Sequence, residues 1–396
     1  MKRCLPVLLA TLALLLDGCS LLRFHRVPPR PGRTTLGSPL VELPAQMVGN
    51  YLLLEAKWDR SGPYRFLIDT GSSVSVVTSA LARRYPSKSL PPPSTPRVRV
   101  NSGGTVTELP ATWLRRLELG DAQFDDVPVL VYDGLLTAIS AHLGVRIDGV
   151  LGFPLFRETV LTLDYPAKRV LLQPARLAPL VPGSTIAFDD TRKTPVIHVG
   201  LGTRSLVALI DSGSDGSFSL NPVGIEPQFL AGPRSGAMVT TLAGDHTQEI
   251  GRIADTLAIG GYVMPQPIVE LTDELSSIGG EVLKNFTVTF DQEHDRVTFY
   301  RQSRDPIVSP TRRSSGLSFN KTPAYWKVAG VVHDSPAEHS GIRTGDLITR
   351  INGEAVATWD LRRYEQLVDR ADDIAFTFLD GTVESVKSVR VFDLVP

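Results

Sequence analysis

Cysteine is almost absent from this chain. There are two, Cys4 and Cys19, both within the first twenty residues. Neither a disulfide nor a cysteine-ligated metal can therefore hold the remainder together. Histidine is also sparse: the seven show no paired spacing of the H-E-x-x-H kind, so no motif for a zinc hydrolase is present. His333 and His339 lie near each other, but beside Pro336 and Gly341, and read as solvated loop or helix-end residues. Neither sign of charge is in excess, with 41 basic and 42 acidic residues, which implies no nucleic acid or other polyanion as partner. The apolar run from Leu5 to Leu16 is too short to span a bilayer as a stable helix. Nothing in the composition calls for a metal or a cofactor.

What the chain does have is length and turns. Its 396 residues suffice for two or three domains with cores. Thirty-three glycines and 30 prolines favour short strands joined by turns over long helices. The first residues read as targeting: Lys2 and Arg3, an apolar run, then Leu16-Asp17-Gly18-Cys19-Ser20. This resembles the lipobox of bacterial lipoproteins. The resemblance implies a signal peptide over 1–19, lipidation at Cys19, and a membrane anchor in the cell envelope. The protein would then face the periplasm, with Ser20 favouring the outer membrane. Asp17 departs from the pattern, and an ordinary secretory signal or an uncleaved anchor are the alternatives. Residues 20–45, rich in proline and carrying Arg23, Arg26, Arg30 and Arg33, read as a flexible tether. The sequence leaves open whether they inhibit the body that follows.

The strongest signal is a duplication. Phe66-Leu67-Ile68-Asp69-Thr70-Gly71-Ser72 is copied as Ala208-Leu209-Ile210-Asp211-Ser212-Gly213-Ser214. Each is an apolar strand that delivers an acid, a hydroxyl and a glycine to a turn. Around them Leu119-Gly120 is echoed by Ile259-Gly260, Leu151-Gly152 by Gly279-Gly280, and Thr159 to Asp164 by Thr287 to Asp291. The spacing between copies falls from 142 residues at the aspartates to 140 at Gly120 and Gly260, 128 at Gly152 and Gly280, and 127 at Asp164 and Asp291. The second copy is thus shorter, with loops as the expected site of loss. Two copies of this size point to a pseudo-two-fold pair of lobes rather than a solenoid.

Two carboxyls brought within hydrogen-bond reach cannot both ionise easily, so one proton is shared. Such a pair holds a base for a water and an acid for a carbonyl oxygen at once. Asp69-Thr70-Gly71-Ser72-Ser73 and Asp211-Ser212-Gly213-Ser214 resemble the two signatures of pepsin-like and retropepsin-like aspartic proteases. The resemblance covers about residues 46–302. It implies Asp69 and Asp211 as the catalytic pair that activates water, and Thr70 and Ser212 as crossed hydroxyl-to-backbone bonds. Gly71 and Gly213 would donate amides to the acids, and the hydroxyls of Ser72 and Ser214 would bond their outer oxygens. Val150-Leu151-Gly152 and Ile278-Gly279-Gly280 would brace the two turns through Gly152 and Gly280, with Gly279 standing where a bulky residue is usual. The hairpin Arg97 to Thr107 would be a flap, although it carries no tyrosine or tryptophan.

After a linker at 303–315, residues 316–396 resemble a PDZ domain. Gly316-Leu317-Ser318-Phe319 is similar to its carboxylate-binding loop, with Ser318 in place of a glycine. The run Gly341-Ile342, Gly345-Asp346 and Ile351-Asn352-Gly353 is similar to PDZ modules of bacterial proteases. That implies capture of a C-terminal peptide as an added strand, or else a spacer that binds nothing. The expected architecture is mainly β: a bilobal, pseudo-two-fold β-barrel body with lobes at 46–178 and 179–302, plus a small α+β PDZ domain. The expected function is an aspartic endopeptidase acting on peptide or protein substrates. The alternative is a non-catalytic, peptide-binding envelope protein of the same fold.

Overall fold

The computed structural model describes residues 32–58, 61–87, 97–102, 105–177, 181–241, 244–322 and 324–396. The expected signal peptide, Cys19, the first part of the expected tether and the boundary at 178/179 lie outside the described residues.

Each lobe is built on a strand whose apolar residues leave water, on both faces in the first lobe and on one face in the second. Strand Ser61–Asp69 buries Phe66, Leu67 and Ile68, and Arg204–Ile210 buries Ala208 and Ile210. Such runs need partners on each edge and on each buried face. Tyr51–Trp58 flanks the first on one side and Gly149–Gly152 on the other, the latter in parallel. In the second lobe Val196–Leu201 and Ser277–Ile278 do the same for Arg204–Ile210.

Six strands close the base of both lobes in one antiparallel sheet. In order they are Ser184–Ala187, Arg296–Tyr300, Thr287–Asp291, Thr159–Asp164, Arg169–Pro174 and Val41–Val48. The order reads symmetrically from both ends, and its central pair sets Thr162 opposite Thr289. Their hydroxyls lie 3.0 Å apart. These are equivalent residues of the two copies, so the pseudo-two-fold axis passes between them.

Two sequence expectations need correction here. Residues 34–45 are not tether. Thr34–Leu36 pairs with Ala122–Val131, and Val41 and Leu43 are buried in the basal sheet. Alternating burial along Val41–Val48 shows why: one face of the strand is apolar. Nor is 303–315 a free linker. Ile307 is buried in the main core, and Arg312–Ser314 pairs with the final strand, Phe392–Val395.

The shortening of the second copy is not spread through loops either. The first lobe contains helix α2, Asp133–Leu143, preceded in the chain by α1 at Ser79–Arg84. Gly144 ends α2 in the left-handed conformation that glycine tolerates best. At the matching place the second lobe has only residues 272–276, between Ile268–Leu271 and Ser277–Ile278. The second lobe has instead the short helix α3, Gly280–Leu283.

The third unit is a five-stranded antiparallel path. It runs from Leu317–Lys321 through Trp326–Val331, Leu347–Ile351 and Asp373–Asp380 to Val383–Arg390, with helices α4, Pro336–His339, and α5, Leu361–Arg370. Phe319, Trp326, Tyr364 and Phe376 fill its core, with Tyr364 edge to face against Phe319 and Trp326. His333 and His339 sit exposed around α4 and pair with Glu338 and Asp334, as the sequence suggested. The body and this unit pack as one, over Pro31–Pro396. Val332, Leu394 and Val395 of the third unit share a buried cluster with Ile250 and Ile268 of the second lobe.

Candidate active site

The two apolar strands end at the lobe junction, where the chain turns sharply after each acid. Ser72 donates its amide to Asp69 O at 3.3 Å, and Ser214 to Asp211 O at 3.4 Å. The turns lock onto each other through Thr70 and Ser212, both fully buried. The Thr70 amide donates to Ser212 Oγ at 3.0 Å, and the Ser212 amide donates to Thr70 Oγ1 at 3.0 Å. Thr70 Oγ1 then donates to Ile210 O at 2.6 Å, and Ser212 Oγ to Ile68 O at 2.8 Å. Every polar group of this cross is satisfied by the opposite lobe, as burial requires.

The cross brings each carboxyl against the opposite turn, Asp211 beside Gly71 and Asp69 beside Gly213, close enough for each acid to shift the other. Gly71 and Gly213 make room for that approach. A β-carbon on Gly71 would lie 2.5 Å from Asp211 Oδ1, and one on Gly213 would collide with the Asp69 carboxyl. Gly213 also donates its amide to Asp211 Oδ1 at 2.9 Å. Burial, then the Asp211 charge, then the bond between the two acids push Asp69 well above the usual carboxylate range; the amides of Gly71 and Ser72 oppose this. Asp211 is also raised by burial, against the pull of the Gly213 amide, the Asp69 bond and the Ser214 amide. The pair therefore holds a proton at pH values where isolated aspartates hold none. Asp69 Oδ1 is covered and accepts no hydrogen bond among the described residues.

The serines that follow differ from expectation. The Ser72 hydroxyl donates to Val74 O at 2.8 Å and accepts from the Val74 amide. Ser214 Oγ accepts from the Gly216 amide at 3.2 Å. Neither hydroxyl is spent on the acids; the backbone amides of these residues are what favour the ionised form. A serine side chain two residues before an amide closes a local turn more readily than it reaches back.

The brace is also shifted by one residue. Gly152 pairs with Asp69, whereas Ile278 pairs with Ile210 and its carbonyl accepts the Asp211 amide at 3.0 Å. The equivalent of Gly152 is thus Gly279, and the bulky residue is Ile278, matching Leu151. A β-carbon on Gly152 would meet the carbonyl of Val74, and on Gly279 that of Gly216. Gly280 instead opens α3, donating to Ser214 O at 2.7 Å as Phe153 donates to Ser72 O at 3.0 Å.

Hairpins rise from both lobes, Arg97–Ser102 with Thr105–Leu119 and Phe229–Thr241 with Gly244–Ile253. The second was not read from the sequence. Several nearby residues were missed as well. Asp215 Oδ2 lies 3.4 Å from His142 Nε2 on α2, and Asp215 O accepts from Asn50 Nδ2 at 2.7 Å. That bond, then the Asp215 charge, raises His142 against its burial. Tyr51 is raised well above the usual phenol range by burial beside Asp215 and Asp211. Glu270 is pushed up to about 6 by burial. None of these belongs to the duplicated motif, and only an acid one residue beyond Ser214 hinted at them.

In the third unit, Leu317 and Phe319 point into the core. The Gly316 amide donates to Ser314 Oγ at 2.9 Å and the Leu317 amide to Ser315 Oγ at 3.2 Å.

Residues 54–155 match the family model described as "Aspartyl protease", and residues 327–374 match that of the PDZ domain. The first match includes the Asp69 turn and Gly152 and stops before Asp211. Among solved structures, a PDZ domain protein from Parabacteroides distasonis is 19% identical over 21% of this chain and 21% of that one, with a TM-score of 0.19. The chain thus spans about a fifth of that protein's length. No curated protein matches the sequence. The mainly β architecture and the two family matches agree: the chain carries an aspartyl protease domain, within its first lobe, and a PDZ domain near its C-terminal end.

Proposed function

We propose that the protein is an aspartic endopeptidase in which Asp69 and Asp211 activate a water molecule. The observation that carries this reading is the reciprocal Thr70–Ser212 cross, which holds two buried acids side by side, both with raised affinity for a proton. The ionised acid takes a proton from water as the water attacks the peptide carbonyl. The protonated acid gives its proton to that carbonyl oxygen, and the tetrahedral intermediate collapses with the proton passing to the leaving nitrogen. No covalent intermediate and no metal enter the scheme. Substrate would lie extended between the two hairpins.

The PDZ domain would recognise substrates or partners. Two of the amides nearest its carboxylate loop are already taken by Ser314 and Ser315, which favours side-chain and strand-edge contacts over tight carboxylate capture. Cys19 would anchor the protein in the bacterial envelope, facing the periplasm. A peptide library incubated with the protein and read by mass spectrometry tests the reading. Wild type should generate new termini, and Asp69→Asn and Asp211→Asn should not. Equal cleavage by either variant would overturn the assignment. Peptide retention without cleavage by wild type would point to a binding protein of this fold.

A further inference from the structure

The two catalytic turns are symmetric in hydrogen bonding but not in charge. The second turn is surrounded by three acids, Asp215, Glu270 and Glu281. Their equivalents around the first turn are neutral: Ser73, Leu130 and Pro154. The ladders set this correspondence for Glu270, which pairs with Ser219 as Leu130 pairs with Val76, while Ser219 faces Ser277 as Val76 faces Val150. Each acid touches the turn or its supports. Glu270 abuts Gly216 and lies near enough to Ser217 to be influenced by its amide. Glu281 is buried on α3 and donates its amide to Gly216 O at 3.0 Å.

The cation placed among them comes from outside the lobe. Arg312, on the strand that leads into the PDZ domain, forms an ion pair with Glu281. Its charge also acts on Glu270 and Asp215. His142 on α2 and Glu365 on α5 complete the charged surroundings. Neighbouring residues of a strand point to opposite sides, and Arg313 does so here. It donates to the carbonyls of Asp369 and Ala371, at 2.9 and 2.8 Å, where α5 ends. One dipeptide therefore grips the support of the second catalytic turn with one side chain and the PDZ helix with the next.

We propose that Arg312 is a positioning residue for the second catalytic turn. Through Glu281 it holds the start of α3, hence Ser214 and Asp211, and so ties that turn to the docked PDZ domain. The proposal rests on the peptidase reading for its effect on rate, but not for its effect on order. A buried acid left without its partner is strongly disfavoured, and α3 would shift to expose Glu281.

The test uses the full chain with Arg312→Met, Arg312→Lys and a control, Arg363→Ala. Arg363 lies over Trp359 and pairs with Glu354, away from the turn. Amide hydrogen exchange is followed at residues 211–217 and 279–281, and kcat and KM on a quenched fluorescent peptide taken from the library. Arg312→Met should speed exchange at both segments and lower kcat about ten- to a hundredfold, with KM little changed. It should also move the acidic limb of the pH profile upward, because a cation near three carboxylates is lost. Arg312→Lys should recover most of the rate, and Arg363→Ala should match wild type. If Arg312→Met does not fold, Arg312→Gln takes its place: faster exchange at both segments with a lower kcat supports the role, and wild-type values overturn it. Unchanged exchange in Arg312→Met overturns it regardless of activity. A wild type that cuts nothing removes the peptidase reading, while exchange still judges Arg312.

Discussion

Thr70 and Ser212 each accept the other's backbone amide at 3.0 Å, and each passes its own hydroxyl proton to a carbonyl of the opposite lobe. Four bonds thus depend on two oxygens at fully buried sites. Ser212→Ala removes one oxygen and strands the Thr70 amide and the Ile68 carbonyl. Each buried orphan costs about 1–3 kcal/mol. The expected loss is about 2–5 kcal/mol in denaturant unfolding, with activity lost in the same variant. A loss below about 0.5 kcal/mol, the scale of an ordinary surface substitution, would mean the cross is not what holds the turns.

The acids that the cross brings together should cost stability. The folded state holds the Asp69 proton more tightly than the unfolded chain does. The stability linked to that proton is present below the ordinary aspartate pKa and is lost as pH rises through the raised value. Asp69→Asn removes the penalty. The variant should therefore melt higher than wild type at pH 7.5, with the gap closing toward pH 4. Thermal scans at the two pH values check this, and a variant that melts lower at pH 7.5 would contradict it.

Much of the site was legible because duplication repeats chemistry as well as fold. The paired strand-acid-glycine pattern placed Asp69 and Asp211 together, and the hydroxyls of Thr70 and Ser212 fell where the copies said they would. What escaped the sequence was local competition and long-range company. Ser72 and Ser214 each have an amide two residues ahead that outbids the acids for their hydroxyls. Gly279 and Gly280 are adjacent, and only strand register tells which one braces. Arg312 was hidden within the linker expected at 303–315, because its partner, Glu281, is 31 residues away on another element.

Glu270 offers a second titration with a definite sign. Burial lifts its folded pKa to about 6, with Asp215 and Glu281 adding and Arg312 opposing. Its favourable contribution is complete below the unfolded value of about 4.5 and is lost as pH climbs through 6. Glu270→Gln keeps the shape of the side chain and carries no charge. It should stabilise the protein at pH 7.5, on the order of 2 kcal/mol for a shift of this size, and change little at pH 4.5. An equal gain at both pH values would show that the effect is packing rather than titration.

The register of the brace can be tested by adding single methyl groups. Gly152 and Gly279 face the carbonyls of Val74 and Gly216, and backbone cannot retreat as a flexible side chain can. Gly152→Ala and Gly279→Ala should each cost about 1–3 kcal/mol through overpacking, and each should displace the acid beside it and lower kcat. Gly280 faces backbone too, but its contacts include the Asn50 carbonyl of the opposite lobe. Gly280→Ala should therefore push the lobes apart, weakening the Asn50 to Asp215 bond and raising KM more than the other two variants do. Parallel unfolding curves and steady-state kinetics on the three variants separate these outcomes. Should Gly280→Ala behave like Gly152→Ala while Gly279→Ala is harmless, the pairing of Gly152 with Gly279 is mistaken and the original spacing of 128 residues is restored.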